Sequence, residues 1–337
     1  MNITTIGDQA RLFSHRMATS RLSTTLDVLV NELASKQTAD IGKKVNGNTS
    51  LLSHIETRMQ ANEGILKGLD EAMGSIDIVL SILDEIHSSV VDLSTDLIND
   101  PAGGNLTQIR AKSQHAEDVF NLTVSRLNEE LGGQYLFAGR ATGQRPLAPA
   151  SEILAHLETE VSSLTTVEEV VEAVNSWFDA PSGTGGFMDY AYYGDQLESN
   201  VVISYAEVLK YSATAADENI RDTLKGLALT SLVGRGVFDG DMAQQRELLL
   251  RGGNVIYDST NGLLDAQAEI GYVASAIKSK QTEIAAHSTE LDFLRGDIRK
   301  IDEYETALAI TDVHTRLQMV YELISRLSKL KLMDYIR

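Results

Sequence analysis

Cysteine is absent from all 337 residues, which removes disulfide frameworks, thiolate zinc sites and cysteine nucleophiles together. Proline occurs only four times, so long helices are permitted almost everywhere. The seven histidines, His15, His54, His87, His115, His156, His287 and His314, never stand three to five residues apart, and a local paired-histidine metal motif is thereby excluded. Neither a GxxxxGKS/T loop nor a GxGxxG turn occurs, so nucleotide binding has no local support. No apolar run approaches the roughly 18 to 20 residues of a membrane span. Residues 1–17 lack a cationic start followed by an apolar core, so a cleavable signal peptide is not expected.

Positive charge is also scarce. Against 48 acidic residues stand 29 basic ones, a formal net charge of -19, and a chain this acidic repels phosphate backbones. The densest basic stretch, residues 326–331, carries three positive charges among leucines. Nucleic acid is not an expected partner.

What the chain does have is heptad periodicity. Alternating steps of three and four from Leu52 give Leu52, Ile55, Met59, Asn62, Leu66, Leu69, Met73, Ile76, Leu80, Leu83, His87, Val90, Ser94 and Leu97, and eleven of these fourteen are apolar. A helix of about 45 residues would be roughly 70 Å long, and only another long helix can cover such a stripe. The run ends at Asn99, Asp100, Pro101 and the glycines Gly103 and Gly104, which break the helical pattern. Upstream, Leu22, Leu26, Leu29 and Leu33 predict a helix over residues 8–40. Downstream, Leu106, Ile109, Ala116, Phe120, Thr123, Leu127 and Leu131 predict a third, stopped by Gly132 and Gly133.

Residues 134–217 differ in character. Strands are expected at 135–138 and 201–205, and a helix at 165–178 opened by Thr165 or Thr166. Between 141 and 220 there are 13 acidic residues against Arg145 and Lys210, a net of -11, which reads as a solvent-facing acidic insert. Tyr190, Tyr192 and Tyr193 read as buried strand aromatics of this insert, with a binding surface as the alternative, and Trp177 and Phe178 read as core. Helical pattern resumes near Glu218, turns over 234–240, and runs from Ile270 through Val273, Ile277, Lys280, Ile284, His287, Leu291, Leu294, Ile298 and Ile301. The last register moves to Val313, Leu317, Val320, Ile324 and Leu327. His87, His287 and Asn62 interrupt the seams and are read as polar residues that fix register, a pH switch or a metal ligand being the alternative for the histidines.

The expected fold is mainly α: an elongated antiparallel coiled coil or helical bundle made by the N- and C-terminal segments, with a small α+β insert. The segments are 1–133 (terminal and rod helices), 134–217 (acidic insert) and 218–337 (the returning helices). Adjacent carboxylates such as Glu129 with Glu130 point about 100° apart on a helix and read as solvated faces.

Three stretches carry a resemblance. GGQYLFAG at 132–139 resembles the point at which members of the flagellin family, filament flagellins and hook-associated junction proteins alike, leave their first helical pair. ALAITDVHTRLQMVYELISRLSKLKLMDYIR at 307–337 resembles that family's terminal helix, with an ending closer to the junction members. YYGDQ at 192–196 resembles an element of the junction proteins' insert. The turn ASKQTADIGKKVNGNTS at 34–50 departs from the Ser-Gly-Lys/Arg and Asp-Asp elements usual there.

The resemblance implies a structural subunit, not an enzyme, that joins hook and filament on the extracellular bacterial flagellum. It implies export through the flagellar type III apparatus without a cleavable signal, an export chaperone, and other flagellar subunits (hook-associated proteins and flagellin) as partners in a homo-oligomeric ring or filament. Its assembly residues would be the terminal seams: Leu22, Leu26, Leu29, Leu33, Leu317, Val320, Ile324 and Leu327. Catalytic residues, cofactors and metals are not expected. The alternatives are filament flagellin, a cytoplasmic coiled-coil signalling or adaptor rod, and a helical enzyme whose pocket is assembled from distant residues.

Overall fold

The structure, a computed structural model, describes residues 6–99, 105–197, 199–204, 207–211 and 213–335. The expected breaks at 100–104 and the strand end at Tyr205 lie outside the described residues, as do the side chains of 327–335. The helices are α1 (Ile6–Ser35), α2 (Ile41–Lys44), α3 (Ser50–Asn99), α4 (Leu106–Leu127), α5 (Ala150–Val161), α6 (Val167–Asp179), α7 (Phe187–Tyr190), α8 (Glu218–Gly234), α9 (Met242–Arg299) and α10 (Glu303–Tyr335). Among the described residues the strands form two antiparallel ribbons, β1 (Glu130–Leu131) with β2 (Gln134–Tyr135) and β3 (Ser199–Val202) with β4 (Val208–Tyr211). The fold is mainly α, as the periodicity predicts.

All fourteen positions of the α3 seam are buried or half-buried, because a 3-4 row stays on one face of a helix. Two helix ends differ from expectation. α4 stops at Leu127, and Gly132 and Gly133 (φ 61° and 83°) form the two-residue turn between β1 and β2, a hairpin turn that needs positive φ at both positions. α1 stops at Ser35, where Lys36 adopts φ 58°. The register shift after Ile301 is also explained: residues 300–302 are not helical, so α9 and α10 are separate helices with separate faces.

By their contacts the described residues form two units, 1–63 with 285–337 and 64–284. In the first, α1 packs along α10. The end of α1 meets the start of α10 through Lys36 Nζ and Glu303 at 3.0 Å, so the pair is antiparallel. The first turns of α3 run antiparallel to the last of α9: Arg299 pairs with Glu56 at 2.9 Å, and Asn62 Nδ2 donates to Ser288 Oγ at 3.2 Å. A polar seam residue with a specific partner favours this alignment over neighbouring ones. His287 is exposed, with Glu290 at 3.8 Å on its own helix.

In the second unit α3 and α9 keep the same sense, with Gln281 Nε2 donating to Asp70 at 2.7 Å. α4 returns along α3, held by Arg126 on Glu85 at 2.9 Å and by the Lys112 ammonium on the Asp96 carbonyl at 2.7 Å. α8 is the central helix, with residues 223–233 buried without interruption. It meets α9 at Gly226 and Gly252, where a Cβ would stand 2.8 Å from the Ile256 nitrogen and 2.5 Å from Thr230 Cγ2. Only glycine lets two helix backbones approach so closely.

The insert packs α5, α6 and α7 around aromatic rings. Phe178 stacks on Phe187 with centroids 5.3 Å apart, and Trp177 meets Phe178 edge-on at 5.0 Å. α6 starts on Thr166 with a complete capping box, Thr166 and Glu169 satisfying each other's backbone N–H, as the Thr165–Thr166 start predicts. Of the three tyrosines only Tyr192 is buried; Tyr190 ends α7 and, like Tyr193, is exposed.

Candidate assembly surfaces

Apolar rows decide what the terminal helices can do. Leu22, Leu26, Leu29 and Leu33 of α1 are half-buried, as are Leu317, Val320 and Ile324 of α10. These are the positions that the α1–α10 packing covers; the eighth expected residue, Leu327, lies outside the described side chains. The two predicted seams therefore meet each other inside one chain.

The same helices carry a second, uncovered apolar row that the seam reading missed. Phe13 is 66% exposed, Met17 lies one turn on, and Val28 continues that face of α1. On α10, Tyr304, Leu308, Met319 and Leu323 are exposed, Met319 to 56%. At 100° per residue these rows stand on the side opposite the seams. Their signal was present in the sequence as i, i+4 and i, i+11 spacing, but leucine-rich seams dominate the count.

The terminal pair is thin as well as two-faced. Among its described side chains only Thr306 is buried; the rest are half-buried or exposed. Single apolar residues on a surface mean little, but continuous rows on paired helices are the geometry of a bundle with further helices still to be added.

The second unit offers a clasp instead of a surface. The Asp195 N–H donates to the Ala138 carbonyl at 3.1 Å, and the Asp195 carboxylate accepts from the amides of Arg140 at 2.7 Å and Leu197 at 3.2 Å. The Tyr192 hydroxyl donates to the Asp195 carbonyl. Burial, with the Asp195 charge adding to it, pushes the Tyr192 phenol above its ordinary range. Gly139 has φ 65°, and a Cβ there would lie 2.3 Å from the Asp195 carbonyl oxygen. The segments 132–139 and 192–196 thus bind each other, and the Ala215 amide adds a bond to Phe137 at 2.9 Å where the chain returns towards α8.

A cavity of about 430 Å³ opens between α6, α8 and α9, lined by Asn175, Asp179, Asn219, Asp222, Lys225 and Asp258 among others. Lys225 is nearly buried and is neutralised there by Asp179 and Asp222, each at 2.9 Å. This satisfies the lysine. Among the described residues no group of three His, Cys, Asp or Glu side chains is placed to hold a metal ion, and no helix is long and apolar enough to cross a membrane.

Residues 254–336, covering most of α9 and all of α10, match the family model of the bacterial flagellin C-terminal helical region. A solved structure described as a flagellar hook-associated protein from Vibrio parahaemolyticus is similar at a TM-score of 0.53 and 16% identity, over 74% of this chain and 95% of that one. FlgL from Bacillus cereus aligns over 73% of this chain and 99% of its own at 12% identity, with a TM-score of 0.45. No curated protein sequence matches. Residues 254–336 are therefore similar to a flagellin C-terminal helical region, in a fold that this chain shares with a flagellar hook-associated protein.

Proposed function

We propose that this chain is a structural subunit of the bacterial flagellum, of the hook-associated kind that joins hook and filament, and that it polymerises through the outward rows of α1 and α10. One observation carries the reading. The two terminal helices cover each other's seams while leaving Phe13, Met17, Leu308, Met319 and Leu323 in water, on a region that matches a flagellin C-terminal model.

Burial of those rows against neighbouring subunits would supply the driving force, roughly 25 cal/mol per Å² of apolar surface. The entropy of ordering the terminal segments would oppose it. In this reading the segments 1–133 and 218–337 assemble, and the acidic insert, 134–217, faces solvent. The work is mechanical and needs no catalysis. The partners are hook-associated proteins, flagellin, an export chaperone and further copies in a ring or filament, and the protein resides outside the cell on the flagellum.

Filament flagellin is the second reading, since the same C-terminal region serves both. Sedimentation of purified protein with and without ammonium sulfate, followed by negative-stain microscopy, separates them. A monomer that assembles only when hook-associated partners are added supports the junction role. Long filaments from this protein alone transfer the reading to flagellin. A discrete dimer that ignores both precipitant and partners sinks the two together.

A further inference from the structure

Charge is divided unevenly between the two units. Residues 1–63 and 285–337 together hold 15 acidic and 15 basic residues, so the whole formal charge of -19 belongs to residues 64–284. Copies of that second unit therefore repel one another.

One face of α9 is exempt from this charge. A row of eight residues runs from Tyr257 through Leu264 and Tyr272 to Thr282 in steps of three and four, within an arc of about 80° at 100° per residue. None of the eight is charged, and all are exposed. Tyr257 is 57% exposed, Leu264 46% and Tyr272 73%. At 1.5 Å per residue the row is about 38 Å long. The inner face of the same stretch is already packed, with Ile256, Leu263, Ile270, Val273 and Ile277 buried. The outer row therefore has no part in the core. Depletion of charge with exposed tyrosine is the composition of an interface centre, not of an ordinary acidic surface.

The borders of the row say what covers it. On one side stand Asp258, Asp265 and Glu269, all exposed and none in an ion pair among the described residues. On the other stand Thr260, Gly271 and Lys278. Charges that border a helix–helix seam set partner choice. A second copy laid antiparallel on this face would bring the three carboxylates against their own equivalents, on a unit that carries -19. We propose that this face of α9 docks an amphipathic helix of a different protein, one whose apolar stripe is bordered by lysine or arginine on the side that meets Asp258, Asp265 and Glu269. Tyr257, Leu264 and Tyr272 supply the buried contact, where aromatic side chains count most. The carboxylates select the partner. The row lies outside α1 and α10, so the proposal goes beyond assembly through the terminal helices.

Fluorescence anisotropy of the full chain with two labelled synthetic peptides tests this. Both peptides have three heptads with leucine at a and d and are used below the concentration at which they self-associate; one has lysine at e and g, the other glutamate. The lysine peptide is expected to bind about tenfold tighter than the glutamate peptide. Leu264→Asp with Tyr272→Asp, both at exposed sites, should weaken it about tenfold with circular dichroism unchanged, although the protein has become more acidic. Asp265→Lys with Glu269→Lys should reverse the preference between the peptides. Equal binding of the two peptides, or lysine-peptide binding that Leu264→Asp with Tyr272→Asp leaves as strong, would mean general attraction to an acidic body and overturns the proposal. So does a wild-type dimer that the same two substitutions dissociate in sedimentation, which would give the face to a second copy. Peptide binding does not require polymerisation, so this proposal and the flagellar reading fail separately.

Discussion

Asp195 accepts the amide of Arg140 at 2.7 Å across 55 residues of sequence. It thereby joins the stretch that leaves α4 to the Tyr-Gly-Asp stretch near the end of the insert. Removing the carboxylate returns two exposed amides, those of Arg140 and Leu197, to water. Asp195→Ala is expected to destabilise the insert by about 0.5–1.5 kcal/mol. The Trp177 fluorescence transition in urea measures it, with the helical circular dichroism of the long helices changing little below that transition.

Glycine has opposite meanings at two helical positions. At Gly226 an added Cβ meets the Ile256 nitrogen at 2.8 Å, whereas at Gly64 nothing lies within 4 Å. Gly226→Ala should cost about 1–3 kcal/mol by forcing α8 from α9, and Gly64→Ala should stabilise by up to about 1 kcal/mol through helix propensity. Urea midpoints of the two variants must move in opposite directions.

The insert should lose stability at both ends of the pH scale. The amides of Gly183 and then Gly185 hold the Asp189 carboxyl below the usual carboxylate range, and the amide of Thr165 with the hydroxyl and amide of Thr166 do the same for Glu169. A folded pKa below the unfolded one gives stability that is present above about pH 4 and lost as pH falls through the depressed value. Tyr192 is raised, chiefly by burial; its contribution is complete below about pH 10 and lost as pH rises. In a pH series of urea midpoints, Asp189→Asn should flatten the acid limb and Tyr192→Phe the alkaline one.

Seam and outward row should respond differently to the same substitution. Leu317→Asp places a charge between α1 and α10, so it should both reduce the helical signal of the free protein and block assembly. Met319→Asp, two residues on but exposed, should leave that signal unchanged and still raise the critical concentration for assembly by about 100-fold. Wild-type assembly by Met319→Asp would show that the outward row is not an interface.

Lys36 occupies a left-handed conformation at the end of α1, a position that glycine fills at lower cost. Lys36→Gly should therefore stabilise the helix end by roughly 0.5–1 kcal/mol, less the loss of an exposed ion pair with Glu303, which is worth little. Thermal melting followed at 222 nm reads the difference.

Much of this was legible in the residues. The fourteen-position row on α3 predicts a long helix with one covered face, because apolar spacing alone dictates which side of a helix leaves water. Thr165 and Thr166 predict the start of α6, since a threonine hydroxyl can accept an amide of the first helical turn, here that of Glu169, whose carboxylate accepts the Thr166 amide in return. The glycines at 132 and 133 mislead for a physical reason: positive φ serves a helix stop and a hairpin turn equally, and only the pairing of Glu130 with Tyr135 decides between them.

The sequence by itself determined the helices, the acidic insert, the absence of thiol chemistry and the likeness to a flagellin C-terminus, because these depend on local spacing and composition. Tertiary structure decided the rest. That the seams of α1 and α10 cover each other, that a second row stays in water, and that Asp195 closes on Gly139 are pairings of distant segments. No local pattern encodes such a pairing, since it arises only when the whole chain has chosen which apolar faces to bury together.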